Sequence, residues 1–134
     1  MKRLFICFVL LLVFSITIVI PVGLATDSAE EGANNSIYIV APGEGDILPA
    51  GSEQTVLWKT SGAEGGFVAL YYRTENNTKW QHISTVSNTG AYMWELPLVE
   101  THHAAIRAVW LKSENDDTVK YAEGISGEFA EFEL

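Results

Sequence analysis

The chain has 134 residues, with eight Lys and Arg against 17 Asp and Glu and a formal net charge of −9. That length admits one domain rather than several. So acidic a chain is a poor match for nucleic acid, whose phosphates call for clustered Lys and Arg, and its acidic surface serves solubility instead.

Lys2 and Arg3 precede an apolar run from Leu4 to Ile20, interrupted only by Ser15 and Thr17. Pro21 and Gly23 follow, and small residues end at Ala25. A charged start, an apolar middle and a small-residue end predict a secretory signal over residues 1–25, cut after Ala25. An uncleaved membrane anchor is the alternative, because the shortest spanning helices need roughly 17 apolar residues. Both readings place the domain outside the membrane, secreted or on the extracellular face of the envelope, and argue against a cytosolic enzyme. Cleavage leaves 109 of the 134 residues, with six basic and 17 acidic side chains and a net charge of −11.

The one cysteine, Cys7, lies inside the apolar run rather than at its end, where a lipoprotein cysteine would stand. The exported part therefore has no disulfide and no Cys-based zinc site. Its stability must come from packing, chiefly of aromatics, and all four Trp lie in it.

Residues 26–36 are polar and acidic and read as a flexible tether. Beyond them, short alternating runs recur between turn signals. Residues 37–40 form the first run, closed by Ala41-Pro42-Gly43, and 46–49 form a short extended piece. Residues 54–60 set Val56 and Trp58 on one face and Thr55 and Lys59 on the other, before a Gly-rich loop over 61–66. Residues 67–74 alternate again, then Glu75-Asn76-Asn77-Thr78 turns into a strand over 80–85. After Ser87-Asn88-Thr89-Gly90, the residues Tyr92, Trp94 and Leu96 share a face. Residues 103–112 carry Ile106, Ala108 and Trp110 at period two, 113–117 read as a polar loop, 119–122 extend a hairpin, and 127–134 close the chain.

No stretch beyond the leader holds a helical apolar period with caps. Short β-rich runs at this spacing predict an all-β fold, an immunoglobulin-like antiparallel β-sandwich of about seven strands over residues 37–134. At Glu131 an aliphatic would be expected, two residues after Phe129. Phe132 and Leu134 restore apolarity one residue out of step, which predicts a bulge in the last strand.

The order of these pieces resembles a family. Ile39-Val40-Ala41-Pro42-Gly43-Glu44-Gly45, then Gly51, then 55–62 around Trp58, are similar to its opening. Trp80-Gln81-His82-Ile83 and 88–97 resemble its central block, and 105–109 with Ser126-Gly127-Glu128-Phe129 its last two strands. The family is the immunoglobulin-like N-terminal domain of yeast cell-wall synthesis proteins, the Kre/Knh type, also called the Ser-Thr-rich GPI-anchored membrane family. The resemblance covers nearly all of 37–132. It implies a cell-surface or cell-wall role and no catalytic residues. The Ser/Thr-rich stalk and lipid anchor of the yeast members are not carried over.

Several constellations bear on chemistry. Asn88, Thr89 and Gly90 form the candidate binding loop; the structural alternative is a tight turn whose Asn and Gly accept positive φ. The same letters, with Tyr92 and Trp94, resemble chagasin-type inhibitors of cysteine proteases. Two further loops of those inhibitors do not correspond: the Gly-rich one comes too early here, and Arg107 is followed by Ala108 rather than Pro. His82, His102 and His103 are weak as metal ligands, because a His–His pair in a strand points to opposite faces. Glu114, Asp116 and Asp117 lack the spacing of a calcium loop. No nucleophile elbow, zincin motif or P-loop occurs. Asn34 and Asn76 begin N-x-[ST] sequons and are candidate N-glycosylation sites. The expectation is a non-enzymatic exported module, structural or adhesive, without cofactor or metal. It would bind a cell-surface protein or glycan and touch a membrane only through an uncleaved leader. The alternative is a secreted chagasin-like inhibitor.

Overall fold

A computed structural model describes residues 34–133. The leader, Cys7 and residues 26–33 of the tether lie outside the described residues. The strands are β1 (Ser36–Ala41), β2 (Ile47–Pro49), β3 (Glu53–Ser61), β4 (Phe67–Thr74), β5 (Gln81–Ser87), β6 (Ala91–Glu95), β7 (Thr101–Ser113), β8 (Asp116–Ile125) and β9 (Phe129–Phe132). No helix is present among the described residues.

Two sheets face one another. The smaller has the order β1-β3-β6; the larger runs β2-β9-β7-β4-β5, with β8 also on β7. Each sheet offers its apolar alternate positions to the other. Ile37, Val56, Trp58 and Trp94 come from the smaller, and Val68, Leu70, Ile106, Trp110 and Phe129 from the larger. Trp58 and Trp94 both point inward, as their alternation predicts, at 3% and 8% exposure. Tyr72 packs edge-on against Trp94 with centroids 4.9 Å apart.

This is the expected immunoglobulin-like sandwich, with two corrections. Among the described residues nine strand segments are present rather than about seven, because the first and last strands are each broken. The chain leaves the smaller sheet at Pro42, which offers no N–H to the ladder, and resumes in the larger sheet as β2. At the other end β8 and β9 both lie along β7, interrupted over residues 126–128. The sandwich is also not wholly antiparallel, since β2 pairs with β9 in parallel register.

The predicted bulge lies on the neighbouring strand. β9 pairs evenly with β2 from Ala130 to Phe132. Against β7, Thr101 faces Glu131 and Ala104 faces Phe129, so three steps on β7 match two on β9. The extra residue is therefore at His102-His103, and Glu131 stays on the inward face at 0% exposure.

Candidate functional site

Three loops share one end of the sandwich: residues 62–66, residues 88–90 and the β7–β8 turn at 114–115. Phe67 faces both Ser87 and Leu111 across its neighbours, which brings these loops together. The β4–β5 loop, which carries Asn76, lies at the opposite end.

At the shared end Asn88 is committed to the fold. Its Oδ1 accepts from Trp58 Nε1 at 2.9 Å, and its Nδ2 donates to Thr60 Oγ1 at 3.1 Å and to the Gly65 carbonyl at 3.2 Å. Its backbone N–H donates to the Gly66 carbonyl at 3.0 Å. Trp110 Nε1 reaches the Gly65 carbonyl at 2.8 Å. Two buried indole N–H groups are thereby satisfied, as burial demands. Gly66 sits at φ +82°, where an added Cβ would fall 2.5 Å from the Leu111 carbonyl oxygen, so this approach requires glycine. In the Asn88–Gly90 turn, Gly90 alone has positive φ, at +95°. Thr89 is the exposed member, and its hydroxyl donates to the Ala91 carbonyl.

The histidines fall in separate places. His82 stands on β5 with its Nε2 2.9 Å from Thr85 Oγ1 and its ring against Tyr71. His102 and His103 do not take the opposite faces expected of a regular strand; the bulge turns both to solvent. His102 packs edge-on against Phe132, and His103 Nδ1 is 3.5 Å from Glu128. The His102 backbone N–H, donating at 2.8 Å, holds the Glu75 carboxyl below its ordinary value. The polar loop expected over 113–117 is shorter than predicted, because β7 runs to Ser113 and β8 starts at Asp116. The Thr118 hydroxyl and N–H hold the Asp116 carboxyl down, which occupies that group within its own turn. Among the described residues no group of three or more His, Cys, Asp or Glu is placed to hold a metal ion.

Asn76 is exposed on the β4–β5 loop, at the rim of a slot of about 200 Å³ walled by Tyr72, Arg73, Gln81 and Pro97. Asn34 is exposed as well.

One titratable group is buried where the sequence marks only a break in register. Glu131 lies wholly inside, and the Tyr72 hydroxyl is 3.0 and 3.1 Å from its two oxygens. Burial disfavours the charged form and pushes the Glu131 carboxyl up to about 7, against the opposing hydrogen bond from Tyr72. Burial, with the Glu131 charge beside it, raises the Tyr72 hydroxyl above its ordinary value. The carboxyl therefore passes between neutral and charged near neutral pH, inside the core.

The two outer faces differ. On the larger sheet Ala69, Val109 and Leu111 are covered by the molecule's own side chains. The Arg107 guanidinium lies 5.5 Å over the Tyr71 ring, and its Nε donates to Glu123 at 2.9 Å, which holds the Glu123 carboxyl down. Among the described residues the smaller sheet has no such cover. Tyr38 is 55% exposed, Val40 44%, Leu57 39% and Met93 60%. Leu57 faces Ala91 across β3 and β6, and Ala41 across β1. These side chains make one apolar band across three strands, of the kind that marks an interaction surface. The sequence carried a signal for it: in 55–58 and 92–94 the apolar residues occupy both phases of the alternation, which a strand with one solvated face does not need.

No protein-family model matches the chain, and no curated protein matches it.

Proposed function

We propose that the protein is a non-enzymatic, exported immunoglobulin-like module of the cell surface or wall, structural or adhesive, which binds a protein or glycan partner. The observation that carries this reading is the bare apolar band of Tyr38, Val40, Leu57 and Met93 on a rigid two-sheet scaffold. Binding needs a presented surface, whereas catalysis needs titratable groups gathered in a pocket. The role agrees with what the resemblance to the Kre/Knh-type domain implies. Asn34 and Asn76, open to solvent, would carry glycans where the source glycosylates.

The inhibitor reading rests on Asn88–Gly90. The engagement of Asn88 with Trp58, Thr60 and Gly65 speaks for an architectural turn, with Thr89 left as its one exposed side chain. The test is a titration of the purified protein against papain with a fluorogenic peptide, beside a measurement of its retention on envelope material from the source. Retention without inhibition is expected. Nanomolar inhibition that Thr89→Ala weakens would promote the inhibitor.

A further inference from the structure

The outward row of β3 reads Glu53, Thr55, Leu57, Lys59. Glu53 and Lys59 stand equally far on either side of Val56, as do Thr55 and Leu57. Turned end for end, this row meets itself with the carboxylate against the ammonium and the leucine against the threonine methyl. β6 strengthens the pattern, for Glu95 is the direct cross-strand partner of Glu53. Like charges placed directly opposite are destabilising. Among the described residues neither carboxylate has an ion-pair partner, and neither does Lys59. Between the charged ends lie Val40, Leu57, Ala91 and Met93, with Tyr38 beside Lys59.

We infer that this face is a self-association surface, on which a second copy of the chain docks face to face with its strands reversed, setting Lys59 of each copy against the partner's Glu53 and Glu95. The inference rests on the reading of this face as the binding surface and names its occupant. Such a contact is isologous and closes at the dimer. Face-to-face sheets stand ~10 Å apart, a gap that long lysine and glutamate side chains bridge from both sides. Lys59 supplies the cation that relieves the Glu53–Glu95 repulsion, and the band between them leaves water. β3 is nine residues long, β1 six and β6 five, so the three strands cover ~300 Å² of plane. That is below the ~800 Å² per partner of a standard interface, so the dimer is weak and forms where copies are concentrated, as on a surface. The net charge of −9 opposes approach at long range. At physiological ionic strength, screening over ~8 Å removes most of that repulsion and spares the pairs in contact.

The test is sedimentation equilibrium of the purified protein from about 10 µM to about 1 mM at ~0.15 M salt. A reversible monomer–dimer equilibrium is expected. Lys59→Glu and Glu53→Lys should each weaken it about tenfold or more. An equimolar mixture of the two variants should restore it, because their charges at positions 53 and 59 then complement one another. A parent that stays monomeric throughout would overturn the inference. So would single variants that dimerise like the parent, or a mixture no tighter than either variant alone. If the parent is monomeric but loses envelope retention on Leu57→Glu, self-association is wrong and the surface-module reading stands. If it dimerises as described yet no retention is found, the dimer stands and the adhesive reading falls.

Discussion

Trp58 joins the core to the loop end of the sandwich. Its ring fills the space between the sheets and its N–H meets Asn88 across thirty residues of sequence. Trp58→Ala should cost about 3–5 kcal/mol, enough to unfold a marginal domain. A melt within a few degrees of the parent would contradict the inward placement. Asn88→Ala leaves the indole N–H without its acceptor and should cost about 1–3 kcal/mol by denaturant titration. Glu131 makes stability depend on pH. Its folded pKa, about 7, lies above its ordinary value of 4.5, so the folded state holds the proton longer than the unfolded chain. Below about pH 4.5 both states are protonated and Glu131 costs nothing on this account. As pH rises to about 7 the unfolded chain ionises first, and roughly 3 kcal/mol of stability is lost; above that the difference is constant. The stability difference between parent and Glu131→Gln, followed from pH 4 to 8, should show that fall, and a flat difference would contradict it. The inward Trp residues were legible because each sits on the apolar phase of an alternating strand. Glu131 was not, because its partner Tyr72 is 59 residues away, and a carboxylate on an apolar face reads first as a break in register.

At the level of elements, alternation located β1, β3, β4, β6 and β7, but pairing decided how far each one ran. β8 extends well beyond the short hairpin arm that its apolar residues mark, because polar and charged side chains serve equally well where a strand faces water on β7's edge. The parallel pairing of β2 with β9 could not be read at all: three residues carry too little pattern to name a neighbour eighty positions on. The two sheets meet at another edge where Gly124 of β8 lies against β1. A Cβ there would fall 2.5 Å from the Ile37 carbonyl oxygen. Gly124→Ala should therefore push β1 aside and lower stability by about 1–3 kcal/mol, read as a drop in melting temperature. An unchanged melt would mean that β1 yields freely and that the contact holds nothing. The bulge at His102-His103 has a comparable local logic. It absorbs one residue of β7, so that Thr101 and Ala104, three apart, both stay inside opposite Glu131 and Phe129 while the histidines turn out.

For the whole molecule the contrast between the outer faces matters most. The larger sheet keeps Ala69, Val109 and Leu111 of its central strands buried beside Tyr71 and exposes Ile47, Val119 and Ile125 on β2 and β8, while the smaller sheet leaves Tyr38, Val40, Leu57 and Met93 exposed across adjoining strands. The sequence directed attention to the loops, where the Asn88–Gly90 letters are conspicuous, and away from a sheet face whose residues are spread over three strands and brought together only by their pairing. A charge placed on this face should leave the fold intact, because Leu57 points to solvent and not into the core. The most direct test is the retention of Leu57→Glu on envelope material beside the parent and Thr89→Ala, with melting curves of all three. Loss of retention for Leu57→Glu at an unchanged melting temperature, with Thr89→Ala retained like the parent, is the predicted result. Retention of Leu57→Glu equal to that of the parent, or loss confined to Thr89→Ala, would contradict the account.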